Sequence, residues 1–167
     1  MPANLNLVRT LTTLVLTMTL ISGCAAASPQ PFSVLEQGSA AMTTEDFTFA
    51  AALEQRKWEQ LYAQIHAHRL PAPQPPMIDW EKNLVVLVAS GWKPSAGYRV
   101  NINRIERRGT RLQAFVEVDE PPAGSLQLTV MTQPYVLALI ERPERLQAIE
   151  FVDSSGKALR RLEVSLP

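Results

Sequence analysis

Few side chains in this chain have the type and spacing that catalysis or metal binding requires. His66 and His68 are its only histidines. Residues two apart on a helix do not face each other, so one helical face does not present both to a metal ion. Glu117, Asp119 and Glu120 form an acidic cluster, but the carboxylate pair of a glycosidase must be separated across a cleft. The sequence therefore predicts no metal site, and a hydrolase built on these groups is the least favoured hypothesis.

Motifs for nucleotide binding and nucleophilic catalysis are incomplete. Ser155-Gly156-Lys157 lacks the earlier glycine of a phosphate-binding loop and is followed by Ala158 instead of Ser or Thr. The chain has no G-x-S-x-G nucleophile motif, and with a single cysteine it has no redox pair. We therefore expect a protein that is not an enzyme and needs no cofactor.

The overall charge gives no long-range attraction for nucleic acid, because 16 basic side chains balance 16 acidic ones. Four arginines nevertheless crowd one predicted hairpin, where they could contact phosphate or the acidic groups of a partner. Glu106 interrupts them and hairpin tips are normally solvated, so an ordinary solvated surface is the competing interpretation. The arginines are Arg104, Arg107, Arg108 and Arg111.

The N-terminal segment has the three zones of an export signal. A stretch with one positive charge precedes an apolar run, which ends at Ile21-Ser22-Gly23-Cys24. This ending resembles the lipobox of bacterial lipoproteins, in which the cysteine receives a diacylglyceryl thioether and becomes the first mature residue. We predict a signal peptide at residues 1–23, a lipidated Cys24 that holds the protein to a membrane, and a tether over residues 24–31.

Two other interpretations of this segment are open. A membrane-spanning helix needs about 20 apolar residues, more than the run provides. An ordinary signal peptide cut after Ala25-Ala26-Ala27 would discard Cys24. Lipidation is favoured because it also explains the single cysteine. Ala25, which is not aspartate, follows Cys24, and by analogy with enterobacterial sorting this predicts the outer membrane, facing the periplasm.

Hydrophobic periodicity predicts one helix and many strands. Over residues 53–66 the apolar stripe Trp58, Leu61, Tyr62 and Ile65 indicates an amphipathic helix. Continuous apolar runs at 84–89 and 135–140 are typical of strands covered on both faces. Shorter or alternating stretches are candidates for the remaining strands, near residues 32–35, 47–49, 98–102, 112–118, 126–130, 149–151 and 162–166. We expect one α+β domain over residues 32–167, with about six to eight mostly antiparallel strands and the helix packed on the sheet.

The loop after the run at 84–89 is the strongest candidate for binding. Pro94 fixes φ, Gly97 permits positive φ, and Ser95 can bond the turn backbone, while aromatic residues flank the loop and are common at binding hot spots. A structural turn whose aromatics cap the core is the alternative. The candidate partner-binding residues are Trp92, Lys93, Pro94, Ser95, Gly97 and Tyr98.

The same loop, with the strands on either side of it, is similar to the C-terminal domain of the PrcB family of protease-complex subunits. The shared features are an apolar strand, a G-x-K-P-[ST]-[AG]-G-Y loop, and a later Pro134-Tyr135 before a final apolar strand; in this loop Trp92 stands at the unspecified position and Ala96 at the [AG] position. The resemblance covers about residues 45–141. It implies a non-catalytic, lipid-anchored accessory or binding subunit for a protease or another envelope partner.

A second function fits the same loop. Its Pro94 and Gly97-Tyr98 resemble the N-P-T-T-G-Y loop of chagasin-like inhibitors, which enters the cleft of a cysteine protease. The alternative hypothesis is therefore a protease inhibitor that acts through residues 93–98.

Overall fold

Nine β-strands and one α-helix make up the described part of the chain. The computed structural model describes residues 26–40, 42 and 44–164. The elements are β1 (Ser28–Pro29), β2 (Phe32–Ser39), β3 (Thr48–Ala52), α1 (Gln55–Ile65), β4 (Asn83–Ala89), β5 (Arg99–Arg108), β6 (Arg111–Asp119), β7 (Pro134–Glu141), β8 (Ala148–Val152) and β9 (Ala158–Glu163).

The strands form two sheets. One has the order β1-β5-β6-β8-β9 and the other the order β2-β7-β4-β3. All neighbouring strands are antiparallel except β6 and β8, which are parallel. The predicted α+β class, with a mostly antiparallel sheet and one helix, is confirmed; the strands number one more than expected and lie in two sheets.

The strand β4 is buried on both faces, as its continuous apolar sequence predicts. Alternate side chains of a strand point to opposite faces. Leu84, Val86 and Val88 therefore enter the core between the two sheets, whereas Val85 and Leu87 enter a second core beneath α1. The result is three layers: the five-stranded sheet, the four-stranded sheet and the helix.

The predicted apolar stripe attaches α1 to the outer face of the four-stranded sheet. Trp58, Leu61, Tyr62 and Ile65 are all buried. The indole Nε1 of Trp58 also donates a hydrogen bond to the carbonyl of Pro76 at 3.0 Å, which holds the proline-rich segment after the helix against it. The helix is shorter than the predicted 53–66 by a residue or two at each end.

A polar cluster joins α1 to β2 and β7. The hydroxyl of Tyr135 donates a 2.7 Å hydrogen bond to Glu36, and Nε2 of the buried His66 lies 3.3 Å from both carboxylate oxygens of Glu36. The rings of Tyr62 and His66 are in contact, with centroids 4.3 Å apart. The pKa values of Tyr62 and Tyr135 are both raised. Burial is the largest cause, and the nearby Glu36 carboxylate is the next.

Two predicted segments differ from the structure. Residues 126–130 form no strand and are exposed, because they run beside another loop with no sheet to join. Ser28–Pro29, predicted as part of a tether, pairs with β5 as β1, and the backbone N–H of Gln30 donates to Ile105 at 2.8 Å. The sheet thus extends into residues 24–31, for which the sequence predicts a tether.

Other predicted strands are confirmed. The hairpin over residues 107–110 joins β5 to β6, and its Gly109 has a φ of 63°. The last hairpin joins β8 to β9 across the turn at residues 153–156. Leu166, predicted to extend its second strand, lies outside the described residues.

The predicted signal peptide (residues 1–23) and Cys24 also lie outside the described residues. Within residues 26–40, 42 and 44–164, no helix has the length and apolar character needed to span a bilayer.

The strand registers define two opposite ends of the sandwich. β1 pairs with the last residues of β5, next to the hairpin that leads to β6; we call this the N-terminal end. The loops before β5 and after β6 lie at the other end, beside the start of β7; we call this the loop end. Because β5 is 10 residues long, the two ends are about 30 Å apart.

Alkaline pH should weaken the fold through the polar cluster. A tyrosine in an unfolded chain ionises near pH 10, and burial holds the folded-state pKa of Tyr135 above that value. The neutral phenol therefore contributes its full stability below about pH 10, and the free energy of unfolding should fall above it by up to about 1.4 kcal/mol per pH unit. Urea unfolding as a function of pH should show a shallower fall for Tyr135→Phe than for wild type. Equal slopes would contradict this account.

Candidate partner-binding surface

The loop that joins β4 to β5 begins at a position that only glycine can occupy. Gly91 has a φ of 73°, a conformation that L side chains rarely adopt. A Cβ atom there would lie 2.0 Å from the carbonyl oxygen of Glu45. The chain can therefore leave the buried strand and pass directly against residues 45–46.

A second loop, which leads from β6 to β7, runs beside the first. Lys93 and Thr132 exchange two backbone hydrogen bonds of 2.7 and 2.9 Å. The Thr132 hydroxyl donates to the carbonyl of Ser95 at 2.8 Å, and the N–H of Ala96 donates to the carbonyl of Leu128 at 3.2 Å. The two loops are thus joined along much of their length.

Gly97 permits the closest contact between the two loops. A Cβ atom at this position would lie 2.6 Å from Cβ of Pro121 and 2.7 Å from Oε1 of Gln127. Glycine permits positive φ, the role that the sequence suggests for Gly97, but φ is not positive there. Glycine is required at position 97 because the second loop leaves no room for a side chain there.

The base of the second loop is held by a buried amide. Gln133 is fully buried, and its Nε2 donates to the carbonyl of Thr44 at 2.8 Å. Its backbone N–H donates to the hydroxyl of Ser39 at 3.0 Å, and its carbonyl accepts from the N–H of Ala40 at 2.8 Å. These bonds attach the loop to the segment that follows β2.

Large apolar side chains cover the paired loops. Leu126 and Leu128 are 101% and 75% exposed, and Trp92 is 40% exposed. Val130 and Met131 are exposed as well. Single exposed apolar residues are common on protein surfaces, whereas a group of them marks an interaction site. We call the surface of residues 92–98 and 125–132 the loop platform.

A groove of about 400 Å³ lies next to the platform. Its lining includes Ala96 and Tyr98 from the first loop, Gly38 and Ser39 of β2, and Tyr135 of β7. Nζ of Lys93 lies 5.8 Å from the centre of the Tyr98 ring, a distance at which the cation is attracted to the aromatic face. The groove therefore offers an aromatic wall beside the apolar platform.

The predicted binding residues divide into two groups. Trp92 and Pro94 are exposed, whereas Lys93, Ser95, Gly97 and Tyr98 are half-buried where the loop meets its neighbours. The sequence did not indicate that residues 125–132 form half of the loop platform. The available signal was their alternation of apolar residues, which predicts a strand instead of an exposed apolar loop.

The candidate catalytic groups do not come together. His66 is buried in the polar cluster, whereas His68 is exposed. Glu117 and Asp119 accept hydrogen bonds from Asn103 and Asn101, respectively, on the surface of β5. Among residues 26–40, 42 and 44–164, no three His, Cys, Asp or Glu side chains are grouped so that they could hold a metal ion.

Comparison with known protein families gives a match for part of the chain. Residues 84–141 match the family described as PrcB C-terminal. The matched segment begins in β4 and ends with β7, so it contains both loops of the platform; it is narrower than the 45–141 expected from the sequence. No curated protein and no solved structure matches the chain. Over residues 84–141, the chain is therefore similar to the PrcB C-terminal family, as the sequence predicts.

Proposed function

We propose that this protein is a lipid-anchored, non-catalytic subunit of the cell envelope that binds a protease through the loop platform. The observation that carries the proposal is the apolar platform within the PrcB-like segment. Lipid anchoring rests on the sequence pattern that ends at Cys24, and the protease as partner rests on the family match.

The chemistry of the platform supports a protein partner. Leu126 and Leu128 leave apolar surface in water that a partner would cover, and burial stabilises by about 25 cal/mol per Å² of apolar area. Trp92 adds a residue type that often dominates binding energy. Hydrogen bonds between the loops hold the backbone that carries these side chains before binding, which reduces the entropy lost on association.

The position of the platform agrees with anchoring at Cys24. β1 lies at the N-terminal end and the platform at the loop end, about 30 Å away along β5. A domain attached to a membrane near Ser28 would thus present the platform away from the lipid surface. A protease in the periplasm could reach it.

Direct inhibition of a protease is the second candidate function. It requires residues 93–98 to enter an active-site cleft. Backbone bonds join Lys93 and Ala96 to the second loop, so these residues form part of a broad face instead of a free projection. We therefore favour binding outside the active site. Stoichiometric slowing of a peptidase by the purified protein would favour inhibition instead.

Substitution of the exposed leucines should remove binding while leaving the fold intact. Two interface residues worth about 2 kcal/mol each correspond to a loss of affinity of about 1,000-fold in Leu126→Ser/Leu128→Ser. Affinity for the protease recovered with the native lipoprotein would be measured by surface plasmon resonance. The matched control is Leu159→Ser, which changes an exposed leucine on β9. Unchanged affinity in the double variant would remove the platform from the account.

The contact at Gly97 should be needed for the shape of the platform. Gly97→Ala places a methyl group against Pro121 and Gln127, so the two loops must separate and affinity for the protease should fall at least about tenfold. Gly124→Ala is the control, because a Cβ atom there meets nothing within 4 Å and only backbone strain results. Equal affinities for the two variants would contradict a role for the close contact.

The anchoring proposal is tested by the mass of the mature protein. Intact mass spectrometry of protein extracted from membranes should show a chain that begins at Cys24 and carries added acyl mass. Cys24→Ser should lack the acyl mass and leave the membrane fraction. A wild-type chain that begins at Ser28 or Met1 without acyl mass would overturn the anchor.

A further inference from the structure

A second cavity, of about 630 Å³, lies at the N-terminal end, opposite the loop platform. Residues 28–31 form one wall, the tip of the β5–β6 hairpin forms another, and residues 141–145 form the third. This volume is in the range of small-molecule binding sites. We call this cavity the N-terminal pocket.

Hydrogen bonds hold several of the residues that line the N-terminal pocket. The amide of Gln30 donates to the carbonyl of Glu141 at 2.9 Å. The hydroxyl of Thr110 donates to Oε1 of Gln147 at 2.7 Å, and the N–H of Gln147 donates to the carbonyl of Thr110 at 2.8 Å. Nη1 of Arg142 donates to the carbonyl of Trp80 at 3.1 Å.

The charges of the pocket favour an anion. Three arginines and two glutamates line it. Arg107 and Arg145 form no ion pair within the described part of the chain, unlike Arg104 and Arg108, which both pair with Glu106. The planar guanidinium group binds phosphate oxygens through two parallel hydrogen bonds.

The pocket would also lie close to the membrane. Only Ala25, Ala26 and Ala27 separate Cys24 from Ser28 in β1. Four residue steps span at most about 14 Å. A pocket walled by Ser28 would thus be held near lipid headgroups, and arginines within a Debye length of an anionic surface are attracted to it.

We propose that the N-terminal pocket binds the phosphate of an anionic lipid headgroup through Arg107 and Arg145. This inference rests on the proposed lipid anchor. Headgroup binding holds the N-terminal end against the bilayer and directs the platform away from it. A free phosphate ion has the same chemistry, so the test must separate the two sources.

The test uses the mature, acylated protein in nanodiscs of phosphatidylcholine, with or without phosphatidylglycerol. Hydrogen–deuterium exchange should show slower exchange of the amides at residues 108–110 and 144–146 when phosphatidylglycerol is present. Each arginine near an anionic surface contributes a factor of about five, so Arg107→Gln/Arg145→Gln should weaken docking about 25-fold and remove most of the protection. The control Arg99→Gln/Arg160→Gln removes the same charge from exposed positions outside the pocket and should keep the protection.

Two outcomes would overturn the headgroup site. One is equal protection in both kinds of nanodisc. The other is equal protection by inorganic phosphate added to the protein in detergent, which would identify a free-anion site. Failure of the anchor itself is a separate result, because it appears as missing acyl mass on Cys24, whereas failure of the headgroup site appears in protein that carries the acyl chains.

Discussion

Burial of β4 on both faces is the constraint on which the rest of the structure depends. Leu84, Val86 and Val88 must be covered by one layer, and Val85 and Leu87 by another. The five-stranded sheet supplies the first cover and α1 supplies the second. The fold can therefore have no fewer than three layers, and the apolar sequence of one short strand determines that number.

In this layered arrangement, both candidate binding surfaces lie at the ends of the sandwich: the loop platform at one end and the N-terminal pocket at the other. At the loop end, the buried Gln133 bonds Thr44 through its side-chain amide and Ala40 through its backbone carbonyl, so the loop that carries the exposed leucines has a stable base. At the N-terminal end, pairing of Ser28–Pro29 with β5 brings the start of the domain beside the arginine-lined pocket. The strand β5 sets the distance between the two ends.

The sequence predicted the elements whose signal is local. The strand at residues 84–89 was predicted correctly because a strand buried on both faces is continuously apolar, and the helix because its buried stripe repeats with the helical period. The strand predicted at residues 126–130 was wrong, because apolar residues alternate in an extended chain whether or not a sheet lies beside it. The contacts of Glu36 with His66 and Tyr135 could not be predicted, since they join residues 30 and 99 positions apart. The turn residues predicted the loop between β4 and β5, but nothing local to residues 125–132 predicted that they would pair with it.

The most direct test of the central claim, that the loop platform meets a protease, is site-specific photo-crosslinking in intact cells. A photoreactive residue replaces Leu128 in the platform or, as the control, Leu159 on β9. The account predicts an adduct at position 128 that mass spectrometry identifies as a protease subunit, and no such adduct at position 159. Protease adducts at both positions, or at position 159 alone, would contradict it.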